Sequence, residues 1–130
     1  MTLRVLDSDH LVAILRGKLD LSRHVAPSEQ LATTAVCVAE LAHGAHRSAR
    51  PAENLTRVDT LLVALDILPF DEAAARVFGL IRAALETQGH PLDALDLQIA
   101  SIALAHRATL VTHNARHFGR VPQLTLDDWM

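Results

Sequence analysis

The sequence has no tyrosine, three phenylalanines and a single tryptophan, Trp129. A packed core therefore has to be built from Leu, Ala, Val and Ile. Cys37 is the only cysteine, so no internal disulfide can form and a cytoplasmic, reducing setting is the simplest expectation. No apolar run approaches the ~20 residues of a membrane span, because Glu40 and His43 interrupt the best candidate. No basic segment leads into an apolar stretch at the start, so no signal peptide is expected. Lys18 is the only lysine and the formal charge is −3. That balance excludes a simple basic nucleic-acid binder, but not an enzyme that meets phosphate through a cation. The glycines at 17, 44, 79, 89 and 119 match neither G-x-G-x-x-G nor a P-loop. No Ser-His-Asp order and no Cys-His pair in context points to a nucleophilic enzyme.

What is present is apolar patterning. Half of the 130 residues are hydrophobic, enough for one domain, taken as residues 1–130, with a substantial core. Leu3–Leu6 suits a strand buried on both faces. Ser8 or Asp9 is the expected cap of the helix after it. Ala32–Val36 reads as a second strand and Val38–Arg47 as a helix. Pro51 starts another helix, and "DILPF" is a short strand. Asp71 caps a long helix that stops at Gly89 and Pro91, and Asp93 caps the next, with Leu95, Ile99, Ile102 and Leu104 as its apolar positions. "ATLVT" is a further strand and "LTLDDW" an edge strand. Strands alternating with helices predict an α/β fold with a mostly parallel sheet and helices on both faces.

Ligands of such sheets collect beyond the carboxyl ends of the strands. Asp7 follows the first strand there and Asn114 follows "ATLVT". Glu40 is expected in the first turn after the second strand, and Asp96 in the first turn of the "DALDLQIASIALAH" helix. Singly, each acid could be a cap or a solvated side chain, and Asp9 is read as no more than that. Together the acids repel: two charges ~4 Å apart cost on the order of 4 kcal/mol at an effective dielectric of 20. A divalent cation offsets this, and oxygen ligands favour Mg²⁺ or Mn²⁺ over zinc. Such a site suits phosphodiester hydrolysis. His43 with His46, and His113 with His117, have spacings that zinc could use. Arg47, Arg50, Arg116 and Arg120 are candidate phosphate contacts.

The segments "VLDSDHLVAIL", "VAELAHGAHRS", "LDALDLQIASIALAHRATLVTHNARHFGRVPQL" and "LTLDDW" resemble, in order, the PIN-domain family, and within it the VapC-type toxins of toxin–antitoxin pairs. The resemblance implies a three-layer α/β/α PIN-like fold and a metal-dependent endoribonuclease. It implies that Asp7, Glu40 and Asp96 hold Mg²⁺ or Mn²⁺, with Asn114 as the fourth catalytic position. Many PIN domains carry an aspartate at that position, so a neutral Asn114 favours one ion over two. The resemblance further implies an RNA substrate, a homodimer and a cognate antitoxin whose segment packs along a helical groove. Leu11, Leu15 and Leu61 are the apolar positions offered for such contacts. The alternative is a PIN-like module that binds RNA or a partner with little or no catalysis.

Overall fold

The computed structural model describes residues 2–130, in which five parallel strands are covered by helices in an α/β/α arrangement. The strands are β1 (Leu3–Leu6), β2 (Gln30–Thr34), β3 (Asp66–Leu68), β4 (Thr109–Val111) and β5 (Thr125–Asp127). The helices are α1 (Ser8–Leu15), α2 (Ala35–Arg47), α3 (Pro51–Leu62), α4 (Glu72–Thr87), α5 (Ala94–Ala105) and α6 (Ala115–Phe118). The order across the sheet is β3-β2-β1-β4-β5. The chain thus builds outward from β1 in one direction, then returns to add β4 and β5 on the other side. The crevice where that direction reverses, between the ends of β1 and β4, is where open α/β sheets bind ligands. The expected edge strand is β5, which pairs with β4 from Thr109↔Thr125 to Val111↔Asp127.

Small and branched residues let the layers close on the sheet. Val5, Leu6, Ala32, Leu110 and Val111 are fully buried, and α5 is buried round most of its circumference through Leu97, Ile99, Ala100, Ser101, Ile102 and Ala103. Ser101 donates to the Leu97 carbonyl over 2.6 Å, which satisfies its hydroxyl inside that packing. Leu95 departs from the expected apolar set: it is among the exposed large hydrophobics, pointing away from the core. Leu11 is fully buried and belongs to the core, while Leu15 and Leu61 pack at its margin.

Two helix starts differ from expectation, and both bear on the site. The cap of α1 is Asp7, whose extended backbone ends β1 and whose side chain accepts the Ser8 N–H over 2.8 Å. The second strand stops at Thr34, because the Thr34 hydroxyl accepts the Cys37 N–H over 3.1 Å and opens α2 at Ala35. Val36 is therefore helical, and Glu40 stands in the second turn of α2 rather than the first. Asp71 and Asp93 cap α4 and α5 as expected, at 3.0 Å from the Ala74 N–H and 3.4 Å from the Asp96 N–H.

Candidate metal centre

Asp7 is the centre of the crevice. Its backbone N–H donates to the Val111 carbonyl over 2.9 Å, which locks the end of β1 against the end of β4. The side chain is buried, yet every polar contact it makes is a donor: the Ser8 N–H at 2.8 Å, the Thr112 hydroxyl at 2.8 Å and the Cys37 thiol at 3.8 Å. Thr112 also accepts the Asn114 N–H over 3.0 Å, so one hydroxyl ties the loop after β4 to Asp7.

Glu40 reaches the same place from α2 and accepts the Ser8 hydroxyl over 3.3 Å. Donor atoms of Asp7, Glu40 and Cys37 all lie within 4.8 Å of one another, and this is the only such trio among the described residues. Asp96, on the first turn of α5, lies outside that trio, with its carboxylate 3.9 Å from His117 Nδ1. It is still within electrostatic reach. Burial raises the Asp7, Glu40 and Asp96 carboxyls above their usual range, and the charge of Asp7 raises Glu40 and Asp96 further. No lysine or arginine pairs with any of the three among the described residues.

Asn114 caps α6 without a side-chain bond to its helix. Its amide donates to His117 Nδ1 over 3.1 Å, and its backbone is held by Thr112. The paired histidines do not face one another: His113 Nδ1 lies 2.9 Å from Asp128, whereas His117 faces Asn114 and Asp96. No histidine belongs to the trio. Among the arginines, Arg50 pairs with Glu53, and Arg120 donates to the Pro91 carbonyl over 3.2 Å. Arg47 shares a surface depression with Glu40, His43, Ser48 and Leu95, and Arg116 stands exposed on α6.

Three residues of the site were not singled out by the sequence. Thr112 looked like the end of a strand. Asp9 was expected to be a cap or a solvated acid, but it is half-buried and accepts the His10 ring N–H at 2.8 Å and the His113 N–H at 2.9 Å. Burial works to raise its carboxyl, yet these bonds hold it below the usual range. Cys37 sits behind Asp7, and burial together with the Asp7 charge pushes its thiol up to about 12. In that protonated state the thiol is a hydrogen-bond donor, 3.8 Å from Asp7 Oδ1. The carboxylates of Asp7, Glu40 and Asp96 repel one another and pair with no lysine or arginine among the described residues, which fits a hard divalent ion.

Comparison with known proteins matches residues 4–124 to the family model described as the PIN domain. Ribonuclease VapC2 of Rickettsia felis is 35% identical over 105 residues, 81% of this chain and 78% of that protein. The tRNA(fMet)-specific endonuclease VapC of Salmonella typhimurium is 32% identical, with 96% of each chain covered. Among solved structures, the chain resembles one from VapBC2 of Rickettsia felis bound to a DNA fragment from their promoter. That match has a TM-score of 0.92 at 30% identity, covering 99% of this chain and 100% of the other. A chain of VapBC-1 from Haemophilus influenzae gives 0.89 at 26% identity over 98% of each.

Proposed function

This chain belongs to the PIN-domain family and, within it, to the VapC ribonucleases; from that premise we propose that Asp7, Glu40 and Asp96 hold a Mg²⁺ or Mn²⁺ ion at which RNA is cut. The observation that carries this reading is the trio of Asp7, Glu40 and Cys37 at the sheet's switch point, two carboxylates without a paired lysine or arginine, with the buried thiol 3.8 Å from Asp7. When bound, such an ion supplies Lewis acidity, which lowers the pKa of water and offsets charge on the phosphate. The chain's own part is to hold its ligands still. Ser8 bridges Asp7 and Glu40 through its N–H and its hydroxyl, and Thr112 fixes the second oxygen of Asp7. Asn114 offers an amide beside His117, which in turn faces Asp96, for orienting a water or a carboxylate. Arg47 and Arg116 contact the flanking phosphates of the strand.

The antitoxin segment is assigned to the groove between α1, α2 and α3. Val12, Leu15, Leu41, Ala45 and Val58 make its apolar floor, and Glu40 stands at its edge. A segment lying there covers the metal centre as it binds. Leu80 on α4 is 71% exposed, and burying it is a reason for two copies to associate as a homodimer. No helix among the described residues is long and apolar enough to cross a membrane, and a toxin of this kind acts on RNA in the cytoplasm.

The test is purified protein on total RNA and on tRNA(fMet), the RNA named for the Salmonella typhimurium relative. Cleavage with Mg²⁺ or Mn²⁺ and none with EDTA supports the reading. RNA bound but uncut under all three conditions favours the non-catalytic module instead.

A further inference from the structure

A closed ring of hydrogen bonds surrounds His10, and none of the proposed chemistry uses it. His10 lies on α1 with no exposed surface. Its Nε2 faces two groups, the backbone N–H of Trp129 at 3.0 Å and Asp128 Oδ1 at 3.5 Å; accepting the nearer N–H places the ring proton on Nδ1. Nδ1 donates to Asp9 Oδ1 over 2.8 Å. The other oxygen of Asp9 accepts the backbone N–H of His113 over 2.9 Å. The His113 ring turns back to Asp128, with Nδ1 and Oδ2 2.9 Å apart, and Asp128 precedes the residue where the circuit began. The ring joins the first turn of α1, the loop after β4 and the segment after β5.

The far side of the ring is anchored. The Trp129 indole stacks on His24 with centroids 5.2 Å apart and planes at 10°. Its Nε1 donates to Asp127 over 3.1 Å, and the same carboxylate takes Arg4 of β1 at 3.0 Å. A hydrocarbon side chain at position 10 could fill the space but would strip a partner from both the Trp129 N–H and Asp9.

We infer that His10 is a positioning residue for the metal centre, acting through Asp9 on the loop that presents Thr112 to Asp7. The step from ring to site is short. His113 adjoins Thr112, whose hydroxyl holds Asp7 at 2.8 Å and lies 3.4 Å from Asp9. Asp9 alone receives the His113 N–H, so an Asp9 that swings loosens the loop at that point. Partners this far behind a ligand still govern metal affinity, because ligand orientation is set by what lies behind it. The inference rests on the reading of Asp7 as a ligand.

Two substitutions separate the two nitrogens. His10→Asn carries an amide near Nδ1, keeping a donor for Asp9 and giving up the acceptor for Trp129. His10→Gln reaches the Nε2 position, keeping the acceptor and giving up the donor. His10→Gln is expected to weaken Mn²⁺ binding by calorimetry roughly tenfold, lowering kcat with little change in KM. His10→Asn should stay within about threefold of wild type in both, whatever each variant loses in melting temperature. A long-range nitrogen–proton NMR spectrum of the unmodified protein should show the proton on Nδ1. Equal losses in both variants, unchanged Mn²⁺ affinity in both, or a proton on Nε2 would overturn the assignment. Asp7→Asn serves as the control. If it abolishes Mn²⁺ binding while both His10 variants bind normally, this inference alone fails; if it binds Mn²⁺ normally, the metal reading fails first.

Discussion

Thr112 donates its hydroxyl to Asp7 across 105 residues of sequence, and at 2.8 Å it ties the loop after β4 to the carboxylate at the end of β1. Replacing it isosterically by Thr112→Val leaves a buried carboxylate oxygen without its donor. Cleavage and Mn²⁺ affinity should each fall roughly ten- to hundredfold, the range for loss of a group that orients a ligand. Wild-type values for both would remove Thr112 from the site.

Asp7→Asn should abolish cleavage and, without metal, raise the melting temperature at neutral pH. The sign follows from the direction of the shift. Burial raises the folded carboxyl above the ordinary aspartate value of 3.8. Its stabilising contribution is therefore complete below 3.8 and is lost as pH rises through the raised folded value. At pH 7 the wild-type charge is a burden that the amide lacks, worth about 4 °C for each kcal/mol relieved. The advantage should shrink as acid neutralises the wild type. Melting curves in EDTA from pH 4 to pH 8 decide this; a difference that stays constant with pH contradicts it.

Metal-induced stabilisation should grow with pH over the same window, since Glu40 and Asp96 are raised alongside Asp7 and a proton competes with the cation at each. Thermal shifts at saturating Mn²⁺ should therefore be small near pH 4 and larger at pH 7.5. A shift that is independent of pH means these carboxylates do not bind the ion.

Cys37 should be silent as a nucleophile. With its thiol pushed up to about 12, a haloacetamide at pH 8 should label it only after unfolding, and Cys37→Ala should retain metal-dependent cleavage. Rapid labelling of the native protein that also stops cleavage would mean the thiol is exposed and ionised.

At Asn114 the two informative changes point in opposite directions. Asn114→Asp adds a charge at the mouth of the loop after β4 and should tighten Mn²⁺ binding. Asn114→Ala removes the amide that holds His117 at 3.1 Å and should lower turnover while leaving the metal bound. If neither measurement moves, Asn114 does no more than start α6.

The positions of Asp7, Asp96 and Asn114 were legible because each ends a strand or opens a helix, places that the apolar pattern marks, whereas Glu40 falls one turn later on α2 than that pattern implied. The run Thr33-Thr34-Ala35-Val36 was not legible, since its branched residues suit a strand throughout. Only the Thr34 hydroxyl, turning to cap α2, fixes where the strand ends. Leu11 looked surplus to a small core until the sheet gave it a place with no exposure. Asp9 and Thr112 were opaque for a deeper reason. Each is ordinary in its own segment, and its role exists only in contacts to residues about a hundred positions away.

That separation sets the order in which the parts of the crevice are made. Asp7 leaves the ribosome early, but the hydroxyl that fixes it arrives 105 residues later. At roughly 5–20 residues per second, that is on the order of 5–20 seconds of synthesis. Through that interval β1, the strand at the middle of the sheet, has no β4 to lie against. A nascent chain surrounded by ribosomal and transfer RNA therefore carries the proposed metal ligands without the scaffold that brings them together.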